Sequence, residues 1–78
     1  MTSFNTATVI HIDETLSDIE LEDIERELAE DGGVTAACVH ENARHLLVVD
    51  YDPLETTARS LLHSVQMQGF HAELIGGI

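Results

Sequence analysis

Five of the 78 residues are histidine (His11, His40, His45, His63 and His71), and imidazole is a common ligand for zinc, nickel and Cu(II). None of them forms an H-x-x-x-H helix pair or an H-x-H strand pair, so any metal site has to be assembled across separate segments. The single cysteine, Cys38, excludes an internal disulfide and any Cys-only metal site within one chain. It lies between Ala37 and Val39 in an apolar run. That is the setting of a small half-buried hydrophobe, not of a nucleophile with its base and oxyanion donors. Gly32-Gly33 ends a helical pattern instead of opening one, so no phosphate-binding loop is present. The chain does not read as an enzyme.

Residues 13–31 hold ten carboxylates opposed only by Arg26, a density that attracts hard cations. The segment lacks the central glycine and ligand order of an EF-hand loop and reads as a solvated acidic helix face, suited to docking a basic partner. The whole chain carries a formal net charge of −12, with no lysine and with Arg26, Arg44 and Arg59 far apart. Nucleic acid and anionic membrane surfaces are therefore excluded as partners. No apolar run approaches the roughly 20 residues of a membrane span, and residues 1–8 lack the charged and apolar regions of a signal peptide. The expected setting is soluble and cytoplasmic. Such a charge also suits high salt, where it maintains solubility.

Strands are expected where β-branched and apolar residues run together, at 7–12, 34–39 and 46–51, with a shorter one at 70–75. Residues 40–45 form the polar connection of a hairpin. Leu16, Leu21, Ile24 and Leu28 recur at helical spacing; Ser17-Asp18-Ile19-Glu20 is a capping box, and Leu16 with Leu21 forms a hydrophobic staple, which starts the first helix at about Ser17. Ala58, Leu61, Leu62 and Val65 mark a second helix, capped by Thr57 and stopped at Gly69.

The order β-α-β-β-α-β predicts an α+β, ferredoxin-like fold: one four-stranded antiparallel sheet with two helices on one face. The domain spans residues 7–75, between flexible tails at 1–6 and 76–78. Alternation turns Ile10, Ile12, Ala37, Val39, Leu47, Val49, Tyr51, Ala72 and Leu74 toward the helices. The open face collects Val9, His11, Cys38, His40, Leu46, Val48, His71 and Glu73. The first and fourth strands are neighbours in this topology, which brings His11 and His71 together near Glu73. Cys38 sits about 10 Å away at a sheet edge, which argues against one compact four-ligand site. Pairing of two open faces in a dimer would bring two incomplete sets together.

With these residues in place, the chain resembles the heavy-metal-associated (HMA) domains of copper chaperones and metal-transporting ATPases over nearly its whole length. Gly33-Val34 looks like the family's Gly-Val at the start of strand two, and Leu21, Ile24 and Leu28 fall on its helix-one core positions. Tyr51-Asp52-Pro53 matches the end of its third strand. Leu61, Val65 and Gly69-Phe70 keep its spacing into strand four. The same count puts Ser17 and Glu20 where the family has its two metal-binding cysteines and Thr15 where it has methionine. A hydroxyl and a carboxylate are hard ligands and do not hold Cu(I) in a two-coordinate site.

The resemblance implies an HMA-like domain without the thiolate site, acting through protein contacts as an interaction or accessory module of a metal-handling system. Its contact surface is either the acidic first helix or the open face around Val9, Leu46 and Val48, with a protein partner or a second copy of itself. The alternative is a metal carrier or sensor taking zinc, nickel or Cu(II) on His11, His71, Cys38 and Glu73, the one cofactor the chain suggests. The βαββαβ order alone also fits a regulatory ligand-binding domain of the ACT type.

Overall fold

The computed structural model describes residues 5–40 and 42–77 and contains β1 (Thr6–Ile12), α1 (Asp18–Ala29), β2 (Val34–His40), β3 (Ala43–Tyr51), α2 (Ala58–Met67) and β4 (Ala72–Gly77). The strands form one antiparallel sheet in the order β2-β3-β1-β4. α1 packs on β2, α2 on β4 and the helices on each other, so both cover one face and the ferredoxin-like βαββαβ fold is the one present.

Ser17 and Thr57 cap the helices as expected. The Ser17 side chain accepts from the Glu20 N–H and that of Thr57 from the Ser60 N–H, which satisfies amide groups that no preceding turn can reach. Leu16 and Leu21, the two halves of the staple, are both buried. Gly69 ends α2 with a φ of 99°, a conformation glycine adopts without a Cβ clash.

Alternation places the sides of the sheet. Ile10 and Ile12 of β1 and Leu47, Val49 and Tyr51 of β3 are buried against Ile24, Leu28, Leu61 and Val65 of the helices. Each fully buried aliphatic side chain contributes about 1.5–3 kcal/mol of transfer free energy. Ala37, Val39 and Ala72 are partly buried against this core. Leu74 points the same way but stays 39% exposed, because β4 is an edge strand and covers it from one side only. The other edge is covered in part: the outward N–H of Val39 donates to Glu25 Oε2 of α1 at 3.2 Å, which protects an edge amide from pairing with another chain.

Five strand boundaries differ from the sequence pattern. β2 runs through His40 and β3 begins at Ala43, directly opposite it, so the connection expected at 40–45 is shorter. β4 begins at Ala72 rather than residue 70 and continues through Gly76 and Gly77, which pair with Val9 and Thr8 across a register shift at Val9/Ile10. These two glycines therefore belong to the sheet and not to a tail at 76–78. Thr6 likewise opens β1, while residues 1–4 and 78 of the two expected tails lie outside the described residues. Among the described residues no helix is long and apolar enough to cross a membrane.

Candidate functional site

Two regions carry the chemistry. The first is the turn that opens α1. Ser17 N–H donates to Glu20 Oε1 at 2.9 Å and Glu20 N–H donates to Ser17 Oγ at 3.2 Å, so each polar side chain is engaged by the other residue's backbone. Asp18 forms an ion pair with Arg44 of β3, and Ile19, the next residue, is 70% exposed. Asp18, Leu21, Glu22, Glu25, Val39 and Arg44 line an open groove between α1 and β2 with carboxylates along an apolar floor.

The second region is the far end of the β1–β4 ladder on the open face. His11 stands directly opposite Glu73, and Asp13 follows at the next same-face position just past β1. One ligand atom from each of His11, Asp13 and Glu73 lies within 4.8 Å of the others. His11 Nδ1 is 3.2 Å from Asp13 Oδ1 but out of line for a hydrogen bond; that nitrogen is shielded from solvent and has no hydrogen-bond partner. The His11 ring stacks on His45 at 5.9 Å between centroids and 22° between planes. His45 is itself fixed by its Nδ1–H, which donates to the Ile12 carbonyl at 2.7 Å.

The residues expected to share a metal site separate into three places. His11 and Glu73 meet. His71 turns away, because Glu14 clasps both its backbone and its ring: His71 N–H donates to Glu14 Oε1 at 2.9 Å and Oε2 at 3.1 Å, and Nδ1 lies 2.7 Å from Oε2. Cys38 is exposed on β2, two strands from β1 in the sheet order. Val9, Leu46 and Val48 are half-buried neighbours on the open face, Val9 opposite Val48 and Leu46 opposite His11. Asp13 is the addition that sequence reasoning misses. The signal was the H-x-D spacing at residues 11–13, which keeps two ligands on one face of an extended chain.

The Glu14–His71 pair sets a pH response. The hydrogen bond from His71 holds the Glu14 carboxyl below its ordinary value of 4.5. The bond to Glu14, aided by the Glu14 and Asp13 charges, raises His71 above its ordinary 6.5. The raised histidine contributes stability that is complete below 6.5 and fades as pH rises through its folded value. The lowered carboxyl contributes stability that is complete above 4.5 and fades as pH falls through its folded value. Both contributions are whole only between these limits, and both are small because His71 is 84% exposed. Following the His71 ring protons by NMR should give a lower pKa in Glu14→Gln than in the wild type. An unchanged His71 titration in that variant would dismiss the pairing.

No protein-family model matches the chain, and no curated protein matches it. Solved structures match over nearly all of it. The N-terminal domain of a potential copper-translocating P-type ATPase from Bacillus subtilis, in its Cu(I)-loaded state, is 24% identical with a TM-score of 0.85, covering 96% of this chain and 92% of that one. A copper binding domain from HMA7, a P-type ATPase, is 18% identical with a TM-score of 0.83 and coverages of 92% and 96%. The yeast copper transporter domain Ccc2a is 21% identical with a TM-score of 0.81 and coverages of 91% and 96%. From the first strand to the last, the chain has the fold of these copper-handling domains.

Proposed function

We propose that the chain is an HMA-like domain that has given up the Cys-x-x-Cys thiolate site and serves as a protein-interaction or accessory module of a metal-handling system, neither an enzyme nor a Cu(I) carrier. The observation that carries this reading is the reciprocal bonding of Ser17 and Glu20. On the family resemblance these stand at the two cysteine positions, and here both are hard oxygen groups occupied in capping a helix. A lone free cysteine suits the reducing cytoplasm as its compartment.

The surface that replaces metal transfer is the acidic groove beside α1. Its carboxylates, Asp18, Glu22 and Glu25, flank the apolar Leu21 and Val39, an arrangement that takes an arginine or lysine with its alkyl stem laid on the floor and its charge at the rim. Exposed Ile19, next in the chain to groove-lining Asp18, offers a further apolar contact. A second copy of this chain, at net charge −12, would bring like charges together along α1, so the partner at this face is a different, basic protein. The half-buried trio Val9, Leu46 and Val48 carries no charge to select a partner and is the lesser candidate.

Reversing two groove charges with Glu22→Lys and Glu25→Lys tests this reading. Glu22 is exposed and Glu25 is half-buried with its carboxylate on the Val39 N–H, so the double variant gives up that one edge hydrogen bond while its circular dichroism spectrum should still show the fold. A partner retained by the wild-type protein at low salt should elute as salt rises, since exposed charges are screened over about 10 Å at 0.1 M. The double variant should not retain it. Equal retention by both proteins, or retention indifferent to salt, would remove the groove from the interaction.

A further inference from the structure

The His11–Asp13–Glu73 cluster lies on the open face of the sheet and shares no residue with the docking groove. We propose that these three residues form a binding site for one divalent transition ion of borderline hardness, with Zn²⁺ as its representative.

The donor set selects the class of ion. One imidazole and two carboxylates suit Zn²⁺ and its first-row neighbours, whereas Cu(I) calls for thiolate or thioether sulfur, which the cluster lacks. The geometry is close to what such an ion requires. Ligand atoms bound at about 2.1 Å in a tetrahedron stand about 3.4 Å apart. His11 Nδ1 and Asp13 Oδ1 are already 3.2 Å apart, one ligand atom from each of the three residues lies within 4.8 Å of the others, and Glu73 is exposed, so its side chain has room to close on an ion.

The second observation is the state of His11 Nδ1 itself. A shielded ring nitrogen without a hydrogen-bond partner is uncommon, and this one faces a carboxylate oxygen. Without a proton on the nitrogen the contact sets two lone pairs against each other; with one, the N–H is misaligned. A cation between the two atoms satisfies both. Ring orientation is held from outside, by stacking on His45, which is itself fixed by the Ile12 carbonyl. Asp13 is held through its backbone, whose N–H donates to the His71 carbonyl at 2.8 Å.

Three ligands leave a fourth position open, and Asp13 is 63% exposed, so the ion is accessible to water or to a ligand from another molecule. The site thus resembles an exchangeable one rather than a closed structural one. His71 does not complete it, since its Nδ1 is bonded to Glu14.

The test is a titration of the purified protein with Zn²⁺ against a chromophoric competitor, with imidazole ¹⁵N spectra recorded in parallel. The wild type should bind one equivalent with a shift at the His11 ring. His11→Ala and Glu73→Gln should each weaken binding about tenfold or more, and His40→Ala and Glu27→Gln should stay within about twofold. Glu73 is exposed, so Glu73→Gln keeps the test decisive if His11→Ala does not fold. No Zn²⁺ binding, equal affinity in all variants, or a His11 ring left unshifted by Zn²⁺ would each overturn the proposal.

Discussion

Gly33→Ala should destabilise the domain by about 2–4 kcal/mol, while Gly32→Ala, one residue earlier, should leave it unchanged or slightly more stable. A Cβ on Gly33 would lie 2.7 Å from Thr56 Cγ2, 2.9 Å from Glu55 Cβ and 3.0 Å from Thr56 Cβ. Those atoms cannot simply rotate aside. Thr56 is buried and its hydroxyl donates to Asp31 Oδ2, while the Gly33 carbonyl accepts from Asp52 N–H at 2.7 Å and Gly33 N–H donates to Asp31 Oδ1 at 2.8 Å. Asp52 also accepts from the N–H groups of Glu55 and Thr56, so the loop between β3 and α2 would have to move as a unit. Overpacking costs about 1–3 kcal/mol, and each hydrogen bond lost adds about 1 kcal/mol. Domains of this size have a total stability of roughly 4–12 kcal/mol, so the variant should lose about 10–25 °C in Tm. Around Gly32 a Cβ meets nothing within 4 Å, and the backbone is outside the left-handed region, so alanine there restricts only the unfolded chain. Denaturant unfolding of the two variants side by side decides the matter. A Gly33→Ala protein within about 0.5 kcal/mol of the wild type would show that the loop is not braced as described.

The contrast between these two glycines shows which parts of the fold were legible in the sequence. The capping box at Ser17, the staple of Leu16 on Leu21 and the stop at Gly69 are made by partners within a few residues of one another, so local pattern states them completely. Alternation in 7–12 and 46–51 likewise placed Ile10, Ile12, Leu47, Val49 and Tyr51 inside. The clash at Gly33 needs residues 55 and 56, and local pattern does not separate the two glycines; only the family resemblance, through Gly33-Val34, singles out the second. The early start of β3 has the same origin. Arg44 and His45 look like loop residues, but Asp18 holds the first and the Ile12 carbonyl holds the second, partners 26 and 33 positions away.

The candidate metal cluster divides along that line too. The neighbourhood of His11 and Glu73 follows from the adjacency of the first and last strands in a βαββαβ chain, and the register sets them directly opposite. His71 shared the expected open-face position until Glu14, 57 positions away, captured its N–H. Asp13 is hidden for a different reason: it opens the run of carboxylates at 13–31 and is read with them, although it belongs by spacing to His11 and not to the helix. Charge density masks a ligand that periodicity would have shown.

Introducing thiolates with Ser17→Cys and Glu20→Cys should turn the domain into a Cu(I) protein, raising its affinity for that ion by at least about two orders of magnitude over the wild type, since soft ligands replace hard ones. The backbone is already suited to it. Ser17 is an extended N-cap and Glu20 the third residue of the helix, and the two are near enough for each side chain to reach the other's N–H. Thiols at a helix N-terminus ionise more readily, because the free N–H groups and the helix dipole favour the anion. The neighbouring carboxylates of Asp18 and Glu22 oppose this, but Arg44, paired to Asp18, returns a positive charge beside the turn. Removing the capping box should lower the apo protein's stability by about 1–2 kcal/mol. Saturating Cu(I) at about 100 times its Kd should return about 2.7 kcal/mol, so metal should overcompensate for the lost cap. Anaerobic competition with a chromophoric Cu(I) chelator reads the affinity, and thermal unfolding with and without the ion reads the linkage. The wild type should surrender all its Cu(I) to the chelator, either single cysteine variant should hold it weakly, and the pair should retain it. A double variant that binds no better than the wild type would mean that the turn opening α1 does not correspond to the metal loop of the copper-binding domains, and the reading of Ser17 and Glu20 as replaced ligands would fall with it.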